Sequence, residues 1–289
     1  MKKVLITGAG SYIGTSFENW IKAHSDSIIT ETVDMKAPSW REKDFHGYDA
    51  VFHVAGIAHA DVGRATEEQK ALYYQVNTDL AIECAKKAKA EDVRQFIFMS
   101  SMIIYGAQEH ITAETVPKPE NFYGDSKWKA DCGVRELVDD NFKVVVLRPP
   151  MIYGKGSKGN YPVLAKLARK LPFFPKVHNL RSALYIGNLC EFVRLVIEGE
   201  KSGIFFPQNS ELLNTSELVR EIAKVQEHRI WVSAVFAPAV WVGKCMPGKM
   251  GGMCRKAFGS SYYDPEMSEY DFRYTLYTLG ESIELTEKK

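Results

Sequence analysis

The sequence predicts an α/β fold, a doubly wound parallel sheet carrying a smaller C-terminal lobe. Three observations carry that expectation. Short apolar runs alternate with helix-length amphipathic stretches through the first half of the chain. The first run passes directly into a glycine-rich turn that opens a helix. After Pro149 the alternation loosens into a stretch rich in proline and glycine.

Taken in order, Lys3–Thr7 reads as a buried strand and Ile13–His24 as a helix. Ser27–Val33 is a second strand ending at Asp34, and Tyr48–Val54 a third. The link between them, with polar Lys36–Phe45, is too short for a full helix, so this unit is expected to be truncated. Glu67–Ala90 is a long helix with Leu72, Val76, Leu80 and Ala81 on one face. Gln95–Ser100 is a strand, Ser126–Asp139 a helix and Lys143–Arg148 a strand. Helices follow at Pro162–Lys170, Ile186–Glu198 and Thr215–Gln226. The expected division is residues 1–150 for the sheet domain and 151–289 for the lobe, with 184–198 packing back on the sheet.

Bulk properties narrow the function. The 289 residues, 45% hydrophobic and 25% charged, suffice for one large core. A formal net charge of +1 offers no global field for nucleic acid or an anionic membrane, so neither partner is expected. No run reaches the ~20 apolar residues that span a bilayer. Apolar Ile230–Val242 contains Ser233 and Pro238 and is read as core or lobe packing, with a membrane-surface role as the lesser alternative. The five cysteines are scattered with no CxxC pair, which points to reduced thiols in the cytoplasm. His53 and His59 lack ligand-spaced partners, and no metal is expected.

The chemistry begins at Thr7–Gly14, TGAGSYIG. Glycines after a strand permit a tight turn, and the following helix N-terminus offers unpaired N–H groups to a pyrophosphate. The expected cofactor contacts are Gly8, Gly10, Ser11, Tyr12, Ile13 and Gly14. Asp34 lies about 20 residues past Gly14, where a carboxylate accepts hydrogen bonds from ribose hydroxyls and repels a 2′-phosphate. That favours NAD over NADP, although Lys36 and Arg41 lie nearby in sequence.

Tyr123 and Lys127 are spaced i, i+4 and share a face if their segment is helical. An ammonium beside a phenol lowers its pKa and prepares it for proton transfer. Lys127 can also reach the cofactor ribose. Upstream, FIFMSSMIIYG is a strand ending in Ser100 and Ser101, at the sheet edge where ligands bind in such folds.

The first ~190 residues resemble the extended short-chain dehydrogenase/reductase family, in its NAD-dependent nucleotide-sugar epimerase/dehydratase branch. The matching segments are TGAGSYIG, VFHVAGIAHA, YYQVNTDLAIECA, FIFMSSMIIYG, YGDSK, LRPPMIYG and RSALYIGNL. The resemblance implies a Rossmann-like domain binding NAD, and a catalytic set of Ser101, Tyr123 and Lys127. It places Ala55 and Gly56 along the cofactor and Asn77 in support beneath the site. It assigns Asn160 and Arg181 to a nucleotide-sugar substrate, and it implies a homodimer through the Glu67–Ala90 and Ser126–Asp139 helices. Arg255, in a basic stretch that runs into Phe258-Gly259-Ser260, is a further candidate for phosphate. Three departures stand out: Ser11 replaces the middle loop glycine, Met151 lies where an asparagine is common, and the tail after ~230 matches loosely. Hydride transfer at C4 of a nucleotide-activated sugar is the implied reaction, most simply by a UDP-hexose 4-epimerase. A 4-keto-6-deoxy reductase, enzymes acting on non-sugar ketones, and a non-catalytic NAD-binding regulator remain alternatives. Met102 and Ile103 supply no acid for dehydration.

Overall fold

The computed structural model describes residues 1–58, 65–246, 251–252, 254 and 257–288. Strand β1 (Lys2–Thr7) leads into helix α1 (Tyr12–His24) and strand β2 (Ile28–Val33). A single 3-10 turn, Pro38–Glu42, precedes β3 (Ala50–His53), so the truncated unit is a strand without its own helix. Helices α2 (Glu67–Tyr74) and α3 (Leu80–Ala90) are joined through a π-helical segment, Gln75–Asp79. Next come β4 (Gln95–Met99), a short β5 (His110–Ile111), α4 (Phe122–Arg135) and β6 (Lys143–Leu147). The remainder holds β7 (Met151–Tyr153), α5 (Asn160–Lys170), β8 (Phe173–Pro175), β9 (Ala183–Tyr185), α6 (Ile186–Glu198) and β10 (Gly203–Phe205). Helix α7 (Thr215–Val225), β11 (Trp231–Ser233), α8 (Ala237–Cys245), β12 (Tyr262–Tyr263) and a last helix, Leu279–Glu287, complete the described elements.

The main sheet has six parallel strands in the order β2-β1-β3-β4-β6-β10. Side chains alternate between its faces, as the two-residue period of a strand requires. Val4, Ile6, Ile97 and Val145 point into one core with α1 and α6, whose Phe17, Ile21, Phe192, Val193 and Val196 fill it. Leu5, Phe96, Phe98, Val144 and Val146 point into the other, against α3 and α4. On α3 the inward residues are Ala81, Cys84, Ala85 and Ala88, small enough to let the helix lie close to the sheet. Covered faces explain why these strands read as continuous apolar runs. A third core, under the lobe, is built from Tyr153, Tyr161, Leu164, Phe174, Leu218, Val219, Ile222 and Ile283.

The packing of α6 on the main sheet means that the chain returns to the first core after leaving it. It also places β7 and β9, the parallel pair that starts the lobe, beside the carboxyl ends of the main strands. Among the described residues no helix is long and apolar enough to cross a membrane.

Candidate active site

The loop after β1 is built around two glycines with distinct jobs. Gly8 has φ +91°, and a Cβ there would lie 3.0 Å from the Ala55 Cα and backbone nitrogen. The conformation and the close approach both demand glycine. Gly8→Ala is therefore expected to cost about 1–3 kcal/mol, read as a lower melting temperature in calorimetry. Gly14 sits in the first turn of α1, where a Cβ would meet Ser11 Oγ at 2.7 Å, Ile6 Cγ2 at 3.1 Å and Val54 Cγ2 at 3.2 Å. Ser11, the departure from the family loop, is the N-cap of α1: its Oγ accepts from the Gly14 amide at 3.2 Å. Serine therefore takes up a helix-start amide where a glycine could not. The Tyr12 and Ile13 amides belong to the same first turn, whose N–H groups have no intrahelical acceptor.

Asp34 is exposed at the carboxyl end of β2, and its Oδ1 accepts from the Lys36 amide at 3.0 Å. Arg41 pairs with Glu83, Nη2 to Oε2 at 2.6 Å. Of the two cations near Asp34 in sequence, Arg41 is thus engaged with α3. Beyond β3, a Cβ on Gly56 would come within 3.1 Å of Asn77 Oδ1 and 3.2 Å of Lys127 Nζ. Asn77 is fully buried in the π-helical segment. Its Oδ1 accepts from the Ile57 amide at 2.8 Å, and its Nδ2 donates to the Ile57 carbonyl at 3.0 Å and to Ser126 Oγ at 3.1 Å. Thr78 Oγ1 donates to the Ser126 carbonyl at 2.7 Å. Asn77 and its neighbour therefore clamp the 55–57 loop to α4. The glycine-lined cradle at positions 8, 14 and 56, with a helix N-terminus beside it, has the chemistry of a dinucleotide site.

Helix α4 starts four residues earlier than its sequence pattern suggests, because Asn121 caps it by accepting from the Gly124 amide at 3.0 Å. Tyr123 and Lys127 consequently lie one turn apart on the same helix. Tyr123 is half-buried, with Tyr73 edge-on at 5.9 Å between centroids, and the Ser101 hydroxyl is near enough to act on its phenol. Ser101 is the N-cap of the short turn Met102–Tyr105, which holds its side chain at the end of β4. Lys127 is buried; its Nζ donates to the Met99 carbonyl at 2.9 Å and lies over the Phe98 ring.

The electrostatics differ from the sequence expectation of a phenol acidified by its lysine. Burial pushes the Tyr123 phenol up to about 12, with the nearby Ser101 hydroxyl working against it. Burial also lowers the Lys127 ammonium to about 8. The physical reason is that Lys127 is turned toward the Met99 carbonyl and Gly56, so desolvation dominates both groups.

Ser100 and Ser101 adjoin in sequence but do different work. Ser100 is buried and donates to Asp131 Oδ2 at 3.0 Å. Asp131 in turn takes both prongs of Arg148, each at 2.9 Å, and Arg135 Nε at 2.9 Å. Arg148 Nη1 also donates to the Tyr105 hydroxyl at 2.8 Å. This buried network ties β4, α4 and β6 beneath the site, and the sequence reading missed it. Its signal was a lone arginine at the end of an apolar strand, which is uncommon unless paired. The reading also missed Tyr73, whose ring packs on Phe122 and Tyr123.

The remaining candidates are less gathered. Asn160 is exposed at the first position of α5, and no described contact links it to Ser101, Tyr123 or Lys127. Arg181 bridges through its backbone to Leu213 and Ser261, and burial lowers its guanidinium pKa, so it is no surface cation. Arg255 and His59 lie outside the described residues. His53 is buried and held neutral, its pKa pushed down to about 3 by burial, with Nδ1 2.9 Å from Thr7 Oγ1.

The chain is similar to known proteins along most of its length. UDP-glucose 4-epimerase of Vibrio cholerae is 28% identical, over 96% of this chain and 90% of that protein. An Escherichia coli enzyme, N-acetyl-alpha-D-glucosaminyl-diphospho-ditrans,octacis-undecaprenol 4-epimerase, is 27% identical over 78% of this chain and 73% of its own length. The crystal structure of Thermus thermophilus UDP-glucose 4-epimerase in complex with NAD superposes with a TM-score of 0.73 at 19% identity, covering 98% of this chain and 97% of that one. The profile of the NAD dependent epimerase/dehydratase family matches residues 4–205, and the chain belongs to that family as an NAD-dependent enzyme of the extended short-chain dehydrogenase/reductase type.

Proposed function

We propose that this protein is a 4-epimerase of a nucleotide-activated hexose. The observation that carries the reading is the pairing of Tyr123 and Lys127 one turn apart on α4, with Lys127 beside the Gly56 loop and Ser101 at the end of β4 near the phenol. Both curated relatives described above are named as 4-epimerases, which supports the position of the reaction.

In this reading Gly8, Gly10, Ser11, Tyr12, Ile13 and Gly14 hold the cofactor pyrophosphate. Asp34 takes the adenosine ribose, and Ala55, Gly56 and Lys127 line the nicotinamide end. Asn77 supports that end from below. When bound, NAD supplies a hydride acceptor and donor at the sugar carbon. Tyr123 takes the proton of the C4 hydroxyl as C4 is oxidised and returns it as C4 is reduced. Ser101 orients the reacting oxygen toward the phenol. Tyr123 can take that proton only as a phenolate, the form that burial disfavours by raising the phenol to about 12, and in the reverse half-reaction the neutral phenol gives the proton back. Arg181 and Asn160, with Arg255, are assigned to the nucleotide and sugar. The homodimer we assign uses α2, α3 and α4.

The test incubates purified protein with UDP-galactose or UDP-N-acetylgalactosamine, without added cofactor, and looks for the C4 epimer by NMR. Appearance of the epimer is expected. No epimer from any nucleotide hexose, together with NADH oxidation by a 4-keto-6-deoxy sugar nucleotide, would replace the epimerase with a reductase. Cofactor choice has its own test: Asp34→Ala is expected to weaken NAD about tenfold while leaving NADP nearly unchanged, measured by calorimetric titration. Preference of the unaltered protein for NADP would overturn the Asp34 assignment.

A further inference from the structure

Away from the sheet edge that carries Ser101 and Tyr123, the lobe presents an aromatic face to solvent. In the two-stranded parallel pair of β8 and β11, Trp231 is in register with Phe173, and Val232 with Phe174. Phe174 and Val232 turn inward and pack in the lobe core. Phe173 and Trp231 therefore turn outward, 47% and 71% exposed. Phe236 stacks on Phe173 with centroids 4.7 Å apart, and Val235 beside it is 78% exposed. A grouped aromatic and aliphatic face of this kind marks an interaction surface on a folded protein.

Its surroundings are cationic. Phe173 lies between exposed Lys170 and Lys176 in KLPFFPK, and exposed Arg229 precedes Trp231 by two residues. An open groove of about 770 Å³ runs alongside Trp231 and is lined by Arg220, Lys224 and Arg229, with Glu221 and Glu227 as its acids. The chain as a whole holds 37 Lys and Arg against 36 Asp and Glu, whereas the charged residues just named are five cations, Lys170, Lys176, Arg220, Lys224 and Arg229, and two acids, Glu221 and Glu227.

We infer that this face docks on an anionic phospholipid surface, with Trp231, Phe173 and Val235 entering the headgroup boundary and the flanking cations meeting lipid phosphates. Tryptophan is suited to that boundary, since its ring is apolar and its indole N–H remains hydrogen-bonded. Cations around an apolar face are the pattern of monotopic association, and each cation adds attraction to anionic lipid. The inference departs from the expectation of no membrane partner, which rested on net charge. A balanced total conceals a local excess. It is independent of the reaction at Ser101, because it requires neither cofactor nor sugar.

The test sediments the full chain with vesicles of phosphatidylglycerol and phosphatidylethanolamine, and with phosphatidylcholine vesicles as the neutral control. The protein is expected to pellet with the anionic vesicles, with a blue shift of its tryptophan fluorescence. Raising salt to about 0.5 M is expected to weaken binding, since charges at a surface are then screened. The double variant Phe173→Ser, Trp231→Ser is expected to reduce bound protein at least tenfold while its circular dichroism melt matches the parent. Binding to neither vesicle, or equal binding by the variant, overturns the inference. So does a parent dimer that the same variant turns into monomer in sedimentation velocity without any parent vesicle binding, which would give the face to a second copy of this chain.

Discussion

Tyr123→Phe is expected to lower kcat by about 10²–10⁴ while leaving NAD affinity within about twofold, because general acid–base catalysis is worth that range. The substitution removes one oxygen. It keeps the ring, and so keeps the edge-on contact with Tyr73 and the half-buried packing at the start of α4. What disappears is the phenolic proton carrier beside Ser101. Because the phenol is raised to about 12 by burial, the phenolate stays a minor form and no tyrosine midpoint falls between pH 6 and 10 under this assignment. Single-turnover kinetics with titration of NAD separate the two effects. An active Tyr123→Phe enzyme would show that the proton travels by another group. Ser101→Ala is a milder change, since it removes orientation and leaves the carrier.

Most of the architecture was legible in the sequence, for a physical reason. Parallel strands covered on both faces are continuous apolar runs, and Val51–Phe52 and Val144–Leu147 announce themselves that way. Helix α6 was legible to the residue, Ile186–Glu198, because it presents apolar residues to the sheet over its whole length. The start of α4 was less so. Its first turn, Phe122–Asp125, lacks an apolar period, and the information sits in the single cap Asn121. The interruption of the long helix at Gln75–Asp79 has no compositional signature, since a π-helical segment differs only in hydrogen-bond register. Of the site, the order of loop, serine strand and Tyr-Lys pair could be read. The separation of Ser100 from Ser101 could not, because Ser100 is defined by Asp131 and Arg148, residues 31 and 48 positions away. The direction of the Tyr123 shift was hidden for the same reason. Sequence spacing shows that an ammonium and a phenol share a face, whereas desolvation is decided by everything packed around them. The exposure of Trp231 is the converse case: an apolar run reads alike whether it fills a core or faces outward.

Lys127→Met is expected to abolish turnover and, at neutral pH, to make the protein more stable. The lysine is buried, its ammonium has lost water, and it has the Met99 carbonyl as its hydrogen-bond acceptor. Its folded-state pKa of about 8 lies below the ordinary 10.5. Between those values the unfolded chain binds more protons than the folded one, so stability rises with pH across the window from about 8 to 10.5. Below pH 8 the folded protein carries the full cost of the buried charge, on the order of 3 kcal/mol at about 1.4 kcal/mol per unit. Methionine fills a similar volume without the charge. It leaves the Met99 carbonyl without this donor, which returns about 1 kcal/mol. The balance favours the variant at pH 7 by about 2 kcal/mol, a rise in melting temperature of several degrees for a chain of this size. At pH 10 the difference should shrink toward zero or reverse, since the parent lysine is then neutral when folded. In the parent enzyme, kcat/KM is expected to fall as pH rises through about 8, because the ammonium that would hold the ribose is lost there. Scanning calorimetry of both proteins at pH 7 and pH 10 decides the matter. A variant less stable than the parent at pH 7 would mean that Lys127 is retained for packing. A variant that is more stable and inactive would mean that the fold tolerates this cation because the reaction requires it.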